Sequence, residues 1–278
     1  MKWLGPSLLF LSLVFTQALA EFSFTVEATD NGVPIPQSEI KLEPLEPTIG
    51  GIIGNSSKPS APSKVRRTNA VAWSSNWCGS VGHTTSTNQI KIVHGIFQHP
   101  GCTKRTGATY PQAAASWVGI DGNTHTSALF QAGTVCKFDT STSSVVNQAW
   151  WQWVPNGAYT ITSMPVAAGD QFEVTINTTS TTAGKVTITN VNQGISYSTT
   201  ITGGATLARV DADWVIERPV YGSSLAGFAR FSDTWFQSAY AKLSNNANLG
   251  ILGTTQYQIS GGCGSQEYDD SSLETWSA

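Results

Sequence analysis

The stretch Val186–Thr202 reads VTITNVNQGISYSTTIT. Side-chain character alternates on both sides of Asn192-Gln193-Gly194, which is the period of a strand, a turn and a second strand, so a β-hairpin is predicted here. The same grammar extends through most of the chain. After Arg67, short runs rich in Thr, Val, Ile and aromatics are separated by Gly, Asn, Pro and Ser, and helical periodicity is nearly absent. Further strands are predicted at Ala70–Ser75, Ile90–Gln98, Ala114–Ile120, Ser127–Ala132, Val145–Trp153, Gln171–Asn177, Asp213–Arg218 and Phe228–Ala239. So many short strands with short connections specify an all-β fold, a two-sheet antiparallel β-sandwich.

Upstream of this pattern the chain changes character twice. Lys2, the apolar run Leu8–Phe15 and then Ala18-Leu19-Ala20 have the layout of a secretory signal, so residues 1–20 are read as a signal peptide and the protein as secreted, extracellular. The run is far shorter than the roughly 20 residues that span a bilayer, and no membrane partner is expected. Glu21–Arg67 is interrupted by Pro34, Pro36, Pro44, Pro47, Pro59 and Pro62, and it contains no Trp or Cys. Such a composition is expected to bury little apolar area. The segment closes on Lys64-Val65-Arg66-Arg67, a paired-basic stop just before the Trp-rich portion begins at Trp73. Residues 21–67 are therefore read as a removable pro-segment and residues 68–278 as one domain.

That domain has 278 − 67 = 211 residues, a length one sandwich commonly fills. Its nine Lys and Arg against twelve Asp and Glu offer no cationic stripe to replace phosphate counterions, so no nucleic-acid partner is expected. The four cysteines, Cys78, Cys102, Cys136 and Cys263, are an even number in an exported chain, and one or two disulfides are expected. Spacing does not choose among the three complete pairings. The four histidines show no compact ligand pattern, so neither a metal nor another cofactor is expected. Nothing marks an oligomer interface, and a monomer is expected.

There is no GxSxG elbow, no Gly-rich phosphate loop and no HExxH. What remains is a few acidic and amide side chains inside apolar strands, where burial costs free energy unless the group is paired or used. Asp213-Trp214-Val215-Ile216-Glu217 puts Asp213, Val215 and Glu217 on one face and Trp214 and Ile216 on the other. Ser127-Ala128-Leu129-Phe130-Gln131-Ala132-Gly133 holds a lone amide. Taken singly, Glu217 reads equally as the partner of Arg218 at a strand end, and Gln131 as a satisfied core glutamine.

Five blocks in order lift the ambiguity. Ser74-Ser75-Asn76-Trp77-Cys78-Gly79, Ser116-Trp117-Val118-Gly119-Ile120-Asp121-Gly122, Leu129-Phe130-Gln131-Ala132-Gly133, Ala149-Trp150-Trp151-Gln152-Trp153-Val154-Pro155 and Ala212-Asp213-Trp214-Val215-Ile216-Glu217 resemble stretches of the glutamic peptidases, or eqolisins. The resemblance covers residues 73 to 218 and thins beyond Arg218, where Gly250–Ala278 has no counterpart that the sequence assigns. It implies a concanavalin A-like sandwich, a pro-segment, and acid-acting endopeptidase activity on protein or peptide substrates. It also implies Gln131 and Glu217 as the catalytic pair. Trp77, Trp117, Asp121, Trp151 and Trp153 are the candidates for the substrate groove, though a large aromatic is as readily core, and Asp121 reads equally as a turn residue before Gly122. Departures fall at Gln152, where the family has Glu, at Asp213, which replaces a Glu, and at Trp151, which replaces a Tyr.

A Glu and a Gln suffice for peptide hydrolysis without a covalent intermediate: one moves the proton of an attacking water, the other holds the water and donates to the oxyanion. Rival readings are a secreted carbohydrate-binding sandwich or an inactive peptidase relative, and a glycosidase. The last needs two carboxyl groups about 5–9.5 Å apart. Asp211 and Asp213 meet the upper part of that range, whereas Asp213 and Glu217, four strand residues or about 13 Å apart, do not.

Overall fold

A computed structural model describes residues 21–45, 51–54 and 71–278. The signal sequence and the Lys64-Val65-Arg66-Arg67 stop lie outside the described residues. In chain order the main strands are β1 (Ser23–Asp30), β2 (Leu42–Pro44), β3 (Val71–Trp73), β4 (Trp77–His83), β5 (Ile90–Gln98), β6 (Gln112–Asp121), β7 (Leu129–Phe138) and β8 (Val146–Val154). They continue with β9 (Ala158–Ile161), β10 (Gln171–Thr178), β11 (Gly184–Asn190), β12 (Ile195–Thr202), β13 (Asp211–Glu217), β14 (Thr234–Leu243), β15 (Thr255–Gln258), β16 (Cys263–Asp269) and β17 (Ser272–Ser277). No helix occurs among the described residues.

The opening hairpin is β11 and β12, paired from Asn190 opposite Ile195 through Gly184 opposite Ile201. It belongs to a back sheet ordered β1-β12-β11-β10-β5-β14-β17-β16. A front sheet runs β2-β9-β8-β7-β6-β13-β4-β15-β3. Pairing is antiparallel apart from β15 with β3 and a two-residue strand, Gly227–Phe228, with β6. This is the two-sheet sandwich expected, with short parallel margins.

The alternation of DWVIE decides how the layers join. Trp214 and Ile216 enter the inter-sheet core with Phe97, Phe130, Phe172 and Phe236, and the Trp214 indole N–H donates to the His94 carbonyl of the back sheet at 2.8 Å. Two disulfides pin the layers: Cys78–Cys263 joins β4 to β16, and Cys102–Cys136 ties a loop to β7.

Two expectations are corrected, and a segment the sequence left open is placed. Phe228–Ala239 is not one strand. Gly227–Phe228 bonds to β6 and Arg230–Phe231 to Cys102–Thr103 before β14 begins at Thr234, so the backbone serves three partners in succession. Gly250–Ala278, without a role in the sequence reading, supplies β15 to the front sheet and β16 and β17 to the back sheet. Finally, the segment read as burying little apolar area is built onto both sheets. All eight residues of β1 pair with β12, β2 pairs with β9, and Val26, Ala28 and Leu45 are buried. SFTVEATD alternates as an edge strand should, with Val26 and Ala28 inward and Thr25 and Glu27 outward.

Candidate active site

Every residue of β6 and of β13 is buried, although only one face of the front sheet looks at the back sheet. The second face is covered because Leu45, Ile52 and Ile53 pack there with Trp77, Trp117, Leu129, Trp150 and Val215. Leu45 and Gly51–Gly54, from the chain's own N-terminal segment, therefore lie over the front sheet as a strap.

Strand register lays out the ground beneath it. Gln152, Gln131, Gly119, Asp213 and Val81 form one row across β8, β7, β6, β13 and β4. Trp150, Gly133, Trp117 and Val215 form the next row on the same face, and Val135, Ala115, Glu217 and Trp77 the row after that. Gln131 and Glu217 thus share a face, two strands and four residues apart, with Trp117 on the diagonal between them.

Glu217 ends β13 and is fully buried. Its Oε2 accepts from the Trp117 indole N–H at 2.9 Å. Its Oε1 accepts from the Gly51 backbone N–H at 3.0 Å and from Asn76 Nδ2 at 3.3 Å. Burial pushes its carboxyl up to about 8, against these N–H donors, which favour the ionised form.

Gly51–Gly54 is held along its length. The Trp77 indole N–H donates to the Gly51 carbonyl at 2.9 Å, Asn76 Nδ2 to the Ile52 carbonyl at 3.2 Å, and Ile53 N–H to the Gly122 carbonyl at 3.2 Å. Gly54 N–H donates to Asn76 Oδ1 at 2.6 Å, while the Gly54 carbonyl accepts from Ser74 Oγ at 2.8 Å. Gly54 has no room for a side chain: a Cβ would lie 2.2 Å from Ser75 Oγ. The groove is thus shaped to hold peptide backbone against a carboxyl group. Trp77 and Trp117 meet edge to face at 4.9 Å.

Gln131 makes a different set of bonds. Its Nε2 donates to Gln152 Oε1 at 3.0 Å, and Gln152 Nε2 donates to the Asn156 carbonyl at 3.1 Å. It makes no hydrogen bond to Glu217. Asp121 takes a left-handed backbone, φ 69°, and its carboxylate accepts from the N–H groups of Arg209 and Val210. It braces the turn into β13. Burial, ahead of those bonds, raises its carboxyl. In Asp211 burial acts in the same direction, but hydrogen bonds from His83 and Thr124 outweigh it and its carboxyl is lowered.

Trp151 and Trp153 are set aside as groove residues. Both point into the inter-sheet core, where Trp153 stacks on Phe130 at 4.5 Å and Trp151 stacks on Tyr159 at 4.8 Å. Their neighbour Trp150 occupies the groove face. The sequence reading also passed over Asn76, although it stands inside the SSNW block, and over Gly51–Gly54, for which it carried no signal. Among the described residues no group of His, Cys, Asp or Glu side chains is arranged to hold a metal ion.

A peptide-holding groove over a buried glutamic acid on a β-sandwich defines a glutamic-peptidase class of protein. Residues 75–276 match the peptidase A4 family, and the chain belongs to that family of hydrolases. It is 31% identical to aspergillopepsin-2 of Aspergillus niger over 212 residues, 70% of this chain and 74% of that protein. It is 26% identical to scytalidopepsin B of Scytalidium lignicola over 145 residues, about half of each chain. Scytalido-glutamic peptidase, solved with a transition-state analogue inhibitor, shares the fold with a TM-score of 0.62 and 21% identity, covering 73% of this chain and 98% of that one.

Proposed function

We propose that the chain is the secreted precursor of an endopeptidase in which Glu217 and Gln131 cleave peptide bonds through an activated water. In this reading residues 1–20 are the signal, 21–67 a pro-segment removed after Arg67, and 68–278 the working enzyme, a monomer acting outside the cell. The observation that carries it is the seat of Gly51–Gly54, whose amide N–H lies on the Glu217 carboxyl while the Trp77 indole holds its carbonyl. A groove that accepts one peptide backbone in this way accepts another. The same contact keeps the precursor shut, and two disulfides suit an oxidising compartment.

With the strap gone, ionised Glu217 takes a proton from water as that water attacks the scissile carbonyl, and the Gln131 amide donates to the oxyanion. One such donor is worth about 3–4 kcal/mol of barrier. Glu217 then returns the proton to the leaving amine. A solvated Glu titrates near its ordinary 4.5, about where a group serving as base and then acid works in acid solution. The Trp117 indole, now on Glu217, steadies that carboxylate as it forms.

The test is hydrolysis of a denatured protein between pH 2 and 7 by wild type, Glu217→Gln and Gln131→Ala, each cut at Arg67 by an added protease. Acid activity in the cut wild type alone supports the proposal. Full activity in either folded variant overturns the assignment of that residue, and activity of equal size in the uncut precursor overturns the role of the strap.

A further inference from the structure

Asp213 is fully buried, and neither of its carboxyl oxygens has a partner among the described residues. It lies on the groove face in the row of Gln131, separated from it only by Gly119. Gly119 carries no Cβ, and neighbouring side chains close over it. A Cβ added to it would sit 3.1 Å from Asp213 Oδ2, 2.8 Å from the Trp117 ring and 3.2 Å from Leu129 Cδ1, so the Asp213 carboxyl leans over the glycine toward β7. Two strand spacings separate the backbones of Asp213 and Gln131, about 10 Å, and the two side chains take up much of that distance.

Gln131 Oε1 is the other buried polar atom in this row without a partner. The amides beyond it already run in one direction, Gln131 Nε2 to Gln152 Oε1 and Gln152 Nε2 to the Asn156 carbonyl. What the line lacks is a donor at its head.

We propose that Asp213, in its acid form, supplies that donor across Gly119 through one bridging water, and so fixes which way the Gln131 amide faces. Asp213 is then a positioning residue, acting on the reaction through Gln131, and the inference rests on the role proposed for Gln131. Aligned hydrogen bonds polarise one another, so a donor at one end strengthens the N–H bonds further along. Burial first, and then the neighbouring charges of Asp211 and Asp121, hold Asp213 well above the usual carboxylate range. Other titratable and charged groups on this side include His83, bonded to Asp211, His125, whose backbone N–H also reaches Asp211, Arg209, whose backbone N–H lies on Asp121, and Tyr257, whose hydroxyl accepts from Asn123. On the β7 side stands the uncharged Gln131.

The test uses enzyme cut at Arg67 and compares wild type, Asp213→Ala, Asp213→Asn and Gln131→Ala, with the Gln131→Ala/Asp213→Ala double variant. Asp213→Ala is expected to lower kcat about 10- to 100-fold, the scale for losing a group that orients a working residue, with KM changed less than about twofold. Asp213→Asn keeps the volume and a donor that does not titrate, so it should recover most of kcat and extend activity to higher pH. In the Gln131→Ala background, Asp213→Ala should cost nothing further. Unchanged kcat in Asp213→Ala, no rescue by folded Asp213→Asn, or an undiminished cost in the Gln131→Ala background overturns the inference. Full activity of Gln131→Ala would instead remove the dyad on which it rests, whatever Asp213 does.

Discussion

Replacing Glu217 by Gln should flatten the dependence of the uncut chain's stability on pH. In the closed protein the Glu217 carboxyl titrates at about 8 because it is buried, whereas in the unfolded chain it returns to its ordinary 4.5. An acid raised on folding stabilises the native state below the unfolded value, and that contribution is lost as pH climbs through 4.5 toward 8. At about 1.4 kcal/mol per pH unit, the full interval amounts to on the order of 5 kcal/mol. The assay is urea unfolding at steps between pH 3.5 and 8.5, comparing Gln131→Ala with Gln131→Ala/Glu217→Gln so that neither chain digests itself. Asp213, raised in the same direction, is present in both and cancels in the difference. The two chains will not start level in acid, since an amide placed between Gly51 N–H and Asn76 Nδ2 on one side and the Trp117 indole N–H on the other cannot accept at both of its heavy atoms. The slope is therefore the observable. Parallel curves between pH 4.5 and 8 would refute the argument, and a slope of opposite sign would mean that the three N–H donors outweigh burial and hold Glu217 ionised.

Losing Cys78–Cys263 should cost more than losing Cys102–Cys136, since the bridged residues are 185 and 34 positions apart; loop-closure entropy gives about 5 and about 4 kcal/mol, and urea unfolding of the two double Cys→Ser variants reads the order. Gly133→Ala should yield no folded product, because its Cβ would lie 1.9 Å from the Ser116 carbonyl oxygen and force β6 from β7, whereas Gly157→Ala, with open space around it, should stay within about 0.5 kcal/mol of wild type by thermal unfolding. Leu45→Ala, in a precursor with Arg66 and Arg67 changed to Ser, removes buried apolar contact from the strap; a cost of about 2 kcal/mol or more raises the open fraction roughly 30-fold, and acid proteolysis by this uncut chain should rise with it. Gln152→Glu should keep acid activity but lose it earlier than wild type as pH rises past about 5, since an ionised carboxyl at 152 faces the Asn156 carbonyl that the amide now serves; a pH profile of kcat checks this.

Period-two alternation made most of the fold legible, because a strand with one face in the core records that face in its own sequence. DWVIE and VTITNVNQGISYSTTIT both behave in the structure as their alternation requires. Alternation assigns parity, however, and not which parity meets the groove. In Ala149-Trp150-Trp151-Gln152-Trp153 the three tryptophans divide between faces, and only the register of β8 on β7 shows that Trp150 and Gln152 lie with Gln131 while Trp151 and Trp153 turn away. The N-terminal segment was misjudged for a related reason. Its prolines and acids argue against a core of its own, yet an edge strand needs only a neighbour with free backbone groups, and β12 provides them along eight residues. Gly51–Gly54 has no pattern at all, since what recognises it is its backbone.

The sign of the Glu217 titration also bears on how the groove opens. A carboxyl that sits at about 8 under the strap and near 4.5 once wetted binds its proton more tightly in the closed state, so acid by itself favours closure at this contact. The other attachments do not work as acid releases either: β1 is held by backbone hydrogen bonds and by buried Val26 and Ala28, and Leu45 by apolar contact. While the chain is continuous, the strap meets the groove at an effective concentration of order millimolar, as tethered segments do. The proposed cut after Arg67 would end that advantage, leaving the strap to be lost by dilution and displaced by substrate. In the proposed reading, activation in acid would therefore be a matter of severing the chain, at the paired arginines that the sequence places between Gly51–Gly54 and β3.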